Sequence, residues 1–100
     1  MAFVDVVTAN IRLIILRELA DTNGYTSNDS VLQAVLDAWG QRLSRDRVRT
    51  ELAWLVDQGL ITQVPLGSSG ASRVTLTERG LDVADGNAFN PGVQRPGPVR

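Results

Sequence analysis

The chain contains no cysteine and no histidine. Those two absences together remove disulfides, thiol nucleophiles, zinc-finger ligand sets and the usual neutral-pH proton shuttle. An enzyme is therefore not expected, and no cofactor or metal is implied. Lysine is missing too, since all ten basic residues are arginine. Codon usage in a GC-rich genome explains that choice as readily as bidentate recognition of phosphate or guanine does, so only the clustering of the cations is informative. Long apolar runs are absent as well. Leu52 to Val56 and Leu13 to Leu16 are the longest, far short of the roughly 20 residues of a membrane helix. The amino-terminal MAFVDVVTAN lacks a cationic segment and carries Asp5 where a signal peptide is apolar, so a soluble, cytoplasmic protein is expected with no membrane partner.

What is present fits one compact unit: 100 residues, 43% of them hydrophobic, with a net charge of −1. Bulk charge does not advertise a nucleic-acid binder, but its distribution is uneven. Arg42, Arg45, Arg47 and Arg49 fall within eight residues and are offset only by Asp46, while the stretches on either side are net acidic.

Val7, Ile11, Ile14 and Ile15 recur at helical spacing, with Leu16 and Leu19 widening the stripe, so a first helix is expected from Asp5 to about Ala20. It is apolar on more than one face, which suits either a deep position or contact with a second subunit, and a homodimer through this helix is one reading. Asp21 to Gly24 end it. Thr26, Ser27 and Asn28 are alternative caps for a second helix, whose apolar stripe runs through Val31, Leu32, Val35, Leu36 and Trp39. Gly40 stops it, and Gln41 to Leu43 lead directly to Ser44, the cap of a third helix reaching about Gln58. Leu60 to Val64 and Arg73 to Leu76 read as a β-hairpin around a Gly/Ser-rich tip. That tip, Gly67 to Gly70, lacks the Lys and long following helix of a phosphate-binding P-loop. Thr77 caps a last short helix that ends at Gly86. The expected class is thus mainly α with a small β-hairpin (α+β), in the order α-α-α-β-β-α, over residues 1–86. Residues 87–100 hold Pro91, Pro96 and Pro98 with Gly92 and Gly97, and are expected to form an extended or disordered tail, open to a protein partner.

That order is the winged helix-turn-helix layout. SRDRVRTELAWLVDQGLI, Ser44 to Ile61, resembles the recognition helix and first wing strand of winged helix-turn-helix regulators, most closely in Leu-x-x-Leu-x-x-x-Gly-Leu-Ile from Leu52. Leu76-Thr77-Glu78-Arg79-Gly80 resembles the end of the wing in regulators of the multiple-antibiotic-resistance and arsenic-repressor types. The resemblance spans about Thr26 to Gly86. More narrowly, Trp39-Gly40, Ser44 to Leu55 and GLDVADG…PGVQRP from Gly80 to Pro96 resemble small winged-helix proteins of Mu-like bacteriophages and prophages. This implies a bacterial host cell and a phage-encoded role, and supplies no catalytic or ligand residues.

The function expected is sequence-specific binding of double-stranded DNA in transcriptional regulation. The alternative is a winged-helix protein-interaction module that does not bind DNA. Taking the inward direction of the third helix midway among Val48, Leu52, Leu55 and Val56, at 100° per residue, Arg47, Thr50, Ala53, Trp54 and Asp57 point away and Arg49 lies on the flank. Arg47 and Thr50 are then the expected readers of base edges in the major groove. Arg42 in the turn and Arg45 in the first helical turn suit phosphates, as does the Ser44 hydroxyl beside its capping role, and Arg73 at the base of the wing suits a phosphate or the minor groove. Cations at a helix N-terminus oppose the helix dipole, so stability alone does not explain them. Trp54 is expected to pack under the wing, with a partner contact as the second reading, and Trp39 is expected in the core, with a dimer interface as the second reading.

Overall fold

A computed structural model describes residues 3–97, with side chains from Val6 onward. The first helix, α1, spans Phe3–Ala20. It buries Ile11, Ile15 and Leu19 along one i,i+4 row and also Leu16, Leu13 and Ala9, so most of its circumference is enclosed. The Asp21 and Thr22 amides still close onto Arg17, Glu18 and Leu19 carbonyls, and the Thr22 hydroxyl caps the Glu18 carbonyl at 2.7 Å. A single 3-10 turn at Asn23–Tyr25, with Gly24 at φ 74°, redirects the chain.

Next comes a strand that local sequence did not announce: β1, Thr26–Asn28. It pairs antiparallel with a strand far ahead in the chain, and the Thr26 hydroxyl donates to the Val74 carbonyl at 3.1 Å. Asn28 is also the cap of α2, Asp29–Ala38, accepting from the Val31 amide. Of the expected apolar stripe, Leu32 and Leu36 are buried and Val35 is half-buried, whereas Val31 is exposed and Trp39 is 70% exposed. Trp39 is therefore not core. Helix α2 has ended by then, and Gly40 in the left-handed region, with the Gln41 amide closing on the Leu36 carbonyl, turns the backbone away.

Ser44 caps α3, Arg45–Asp57, by accepting from the Arg47 amide at 3.0 Å. The Gln33 side chain donates to the Leu43 carbonyl and pins the turn between α2 and α3. After Gly59 the chain enters β2, Ile61–Pro65, and returns along β3, Ser72–Leu76, in a register that places Ile61 opposite Leu76 and Pro65 opposite Ser72. The three-stranded antiparallel sheet has the order β1-β3-β2. Thr77 caps α4, Glu78–Asp85, and its hydroxyl reaches back to the Gly59 carbonyl at 2.7 Å. Gly80 lies so close to the Leu60 carbonyl that no Cβ fits between them.

The architecture is the α+β winged helix-turn-helix expected, with β1 added between α1 and α2. One apolar core, from Ile11 and Leu16 through Leu32, Leu52 and Leu55 to Val74 and Val83, joins all four helices to the sheet. Each fully buried Leu or Ile in it contributes about 1.5–3 kcal/mol relative to exposure. Residues 86–97 form no helix or strand, yet they lie against the body. Val93 is buried in the core, the Gln94 amide donates to the Ala9 carbonyl, and Asn90 bonds Gln58 at 3.0 Å. Composition suggested a segment unable to fill a core. One valine and a few backbone bonds are enough to seat it. Pro98 to Arg100 of that tail, with Met1 and Ala2, lie outside the described residues.

Candidate nucleic-acid interface

Two buried carboxylates organise the arginines. Glu51, 3% exposed, lies on the inner side of α3 and takes the Arg12 Nε of α1 on one oxygen and the Arg47 Nε on the other, each at 2.8 Å. Arg47 also donates to the Thr8 hydroxyl at 2.9 Å. Its guanidinium is thus held against α1, not directed outward as the helical projection implied. The reason is a turn of the helix. The buried set is Val48, Glu51, Leu52 and Leu55, with Val56 exposed; replacing Val56 by Glu51 rotates the inward direction by about 35° at 100° per residue. Arg47 then falls on the flank beside α1.

The same rotation explains Trp54. Its ring is half-buried beneath the Arg12 guanidinium, 3.6 Å from the ring centroid, and its edge abuts Gly92 of the tail. The Arg12 Nη1 donates to the Gly92 carbonyl at 3.0 Å. Trp54 therefore packs under the tail, not under the wing. A glycine is required at position 92, where a Cβ would run into the Trp54 ring.

Asp29, also 3% exposed, is the second carboxylate. At the start of α2 it accepts from the Ser30 amide and from the Ser72 amide at the foot of β3, and its other oxygen lies 3.6 Å from Arg45 Nη2. It ties α2, the wing and the first turn of α3 together. Arg45 keeps an exposed guanidinium beside this carboxylate. Arg49, one turn on, lies on the same flank of α3 and donates from Nη2 to the Gly70 carbonyl in the wing loop at 2.9 Å. Helix α3 thereby holds the wing tip in place.

Arg73, Arg42, Ser44 and Thr50 are all exposed. Arg73 is exposed on β3, between Asn28 and Val64 in the cross-strand register, so its side chain shares their face of the sheet. Arg42 is exposed in the turn, 3.2 Å from Asp37 in a solvated pair that constrains it weakly. Ser44 is exposed and engaged in capping. Thr50 is exposed on the outward face of α3, its hydroxyl bonded to the Asp46 carbonyl at 3.1 Å. In the wing loop the Ser69 hydroxyl serves the turn itself, donating to the Leu66 carbonyl. The structure thus gathers Arg45 and Arg49 at the junction of α3 and the wing, turns Arg73 to the sheet face opposite the buried Val74, leaves Arg42 at the turn, and sets Arg47 apart.

Between the outward face of α3 and the wing runs a shallow groove of about 330 Å³, lined by Ala53, Val56, Asp57, Gln63, Pro65 and Ser72. Asp46 and Asp57 are exposed on this side of the helix. Asp29, Glu51 and Arg12 were not expected to take part. Only the i,i+4 spacing of Arg47 and Glu51 signalled the pairing in advance. Among the described residues no helix is long and apolar enough to cross a membrane.

No family model matches the chain. It is 41% identical over 81 residues to an uncharacterized protein of Haemophilus influenzae, covering 81% of this chain and 78% of that protein. It is 49% identical over 94 residues to an uncharacterized protein, gp26, of Escherichia phage Mu, covering 94% of this chain and 95% of gp26. The phage relation read from Trp39-Gly40 and the Gly80 to Pro96 segment stands on this likeness, which reaches beyond the helix-turn-helix into the tail: the chain belongs to the family of phage Mu gp26.

Proposed function

We propose that the protein binds double-stranded DNA as a winged helix and regulates transcription for a Mu-like phage or prophage. One observation supports this above the others. Arg45 and Arg49 are exposed at one junction of helix and wing, and Arg49 bridges the two elements through the Gly70 carbonyl. An acidic chain that concentrates exposed cations where a winged helix meets a duplex has a local footprint for phosphates. In this reading the N-terminal half of α3 enters the major groove, with Thr50 and Arg49 nearest base edges. Arg42, Arg45 and Ser44 line the groove edge, and Arg73 follows the backbone beside the wing. Arg47 contributes only by leaving Glu51 and Thr8. Two copies would bind a two-fold site.

Fluorescence anisotropy on phage and random duplexes at several salt concentrations tests the proposal. Affinity should fall steeply as salt rises, the slope growing by about 0.9 for each phosphate neutralised. Salt-independent binding, or none, would overturn it.

The exposed Asp46 and Asp57 and the partly apolar groove beside Ala53 and Val56 favour a second reading, docking of a protein partner on the same face. Loss of partner capture in an Asp57→Arg variant, with no DNA binding by the native chain, would select it.

A further inference from the structure

Away from the wing, α1 and the end of α2 enclose a groove of about 670 Å³, lined by Asn10, Leu13, Ile14, Arg17, Glu18 and Trp39 among others. Leu13 is buried and Ile14 half-buried at its floor, while Trp39 stands 70% exposed at its side. Nothing in the fold requires an indole there, because α2 has already ended and the core is complete without it.

Three charges line the groove, Arg17, Glu18 and Asp21; Asp21 already has a partner, and the other two make the occupant specific. Arg17 and Glu18 are half-buried neighbours of opposite sign, and neither side chain takes an ion pair among the described residues. Arg17 in the last turn of α1 suits the helix dipole, but Glu18 opposes it, so helix stability does not explain the carboxylate. A surface that carries both signs beside an apolar floor complements itself. In a two-fold contact, Arg17 of each copy meets Glu18 of the other. The exposed Trp39 of each copy then fills the groove of its mate, the kind of aromatic anchor that dominates interface energy.

We infer that this groove is the contact between two copies of the chain, with Trp39 as the anchor and Arg17–Glu18 pairs setting the register. The inference deepens the two-fold arrangement proposed above. It places the contact on α1 together with the α2 end, not on α1 alone.

Analytical ultracentrifugation of the full chain without DNA tests it. At about 50 μM the native protein should sediment as a dimer. Trp39→Ala should weaken the association at least tenfold, while the thermal melt recorded at a concentration where both proteins are monomeric stays unchanged, since that side chain is mostly exposed. Arg17→Glu and Glu18→Arg should each dissociate the dimer, and the double exchange should restore it. A native chain that stays monomeric, a dimer indifferent to Trp39→Ala, or an exchange that fails to restore association would overturn the inference. Because no DNA is present, failure here leaves the DNA reading standing, and loss of DNA binding in the anisotropy experiment leaves the dimer standing.

Discussion

Two flanks of one helix put the same residue type to opposite uses. On the flank of α3 that faces α1, Arg47 and Arg12 share the buried Glu51, and Arg12 continues over Trp54 to the tail. On the flank that faces the wing, Arg45 and Arg49 stay exposed, one beside the buried Asp29 and the other on a backbone carbonyl of the wing loop. The difference lies in the carboxylate. Glu51 sits at an inward position and draws both guanidinium groups against the core, whereas Asp29 satisfies most of its capacity with the Ser30 and Ser72 amides and leaves Arg45 in solvent. A cluster of cations in a sequence is therefore not one surface but two, one holding the fold together and the other available to a ligand.

The largest effect should come from breaking the inner flank. Glu51→Ala strands Arg12, whose side chain is only 16% exposed, without its counter-charge, and should cost about 3–5 kcal/mol in chemical denaturation. Gly92→Ala drives a methyl into the Trp54 ring and the Arg12 guanidinium. It should cost about 1–3 kcal/mol and release the tail, seen as faster amide exchange at Gln94, whose amide is bonded to Ala9. The outer flank should respond in binding and not in stability. Arg49→Ala should lose about 1–3 kcal/mol of duplex affinity, and Arg73→Ala should weaken all duplexes alike and lower the salt slope by about 1. Exchanging Asp37 for Asn, which frees Arg42 from a solvated pair, should change stability by less than about 0.5 kcal/mol.

Much of this fold is legible in the chain because its signals are local. Asn28, Ser44 and Thr77 cap helices through their own side chains, and Gly40, Gly59 and Gly86 adopt positive φ where those helices end. The helix order and the hairpin follow from those marks. What escapes is set by partners distant in sequence. Strand β1 is three residues long and exists because Thr26 to Asn28 find Arg73 to Thr75. A glutamate on an inward face reads as a solvated residue until Arg12, 39 positions earlier, is known to reach it. With Glu51 read as solvated, Arg47 is assigned to the outward face, whereas it lies on the flank beside α1. Trp39 and Trp54 fail in the same way: an aromatic at helical spacing suggests core, but whether a turn has already ended the helix, or a tail covers its flank, is a tertiary matter. The cluster from Arg42 to Arg49 is legible as a cluster, and its division is not.

The division itself is the most direct thing to measure. Duplex affinity should be compared in parallel for the native chain, Arg47→Ala and Arg49→Ala, with the melting transition of each recorded. The expected result is that Arg49→Ala weakens binding about tenfold or more with little change in melting, while Arg47→Ala lowers the melting temperature and leaves affinity near native. The reverse pattern, with Arg47 governing affinity and Arg49 silent, would contradict the placement of the DNA contact on the wing-facing flank of α3.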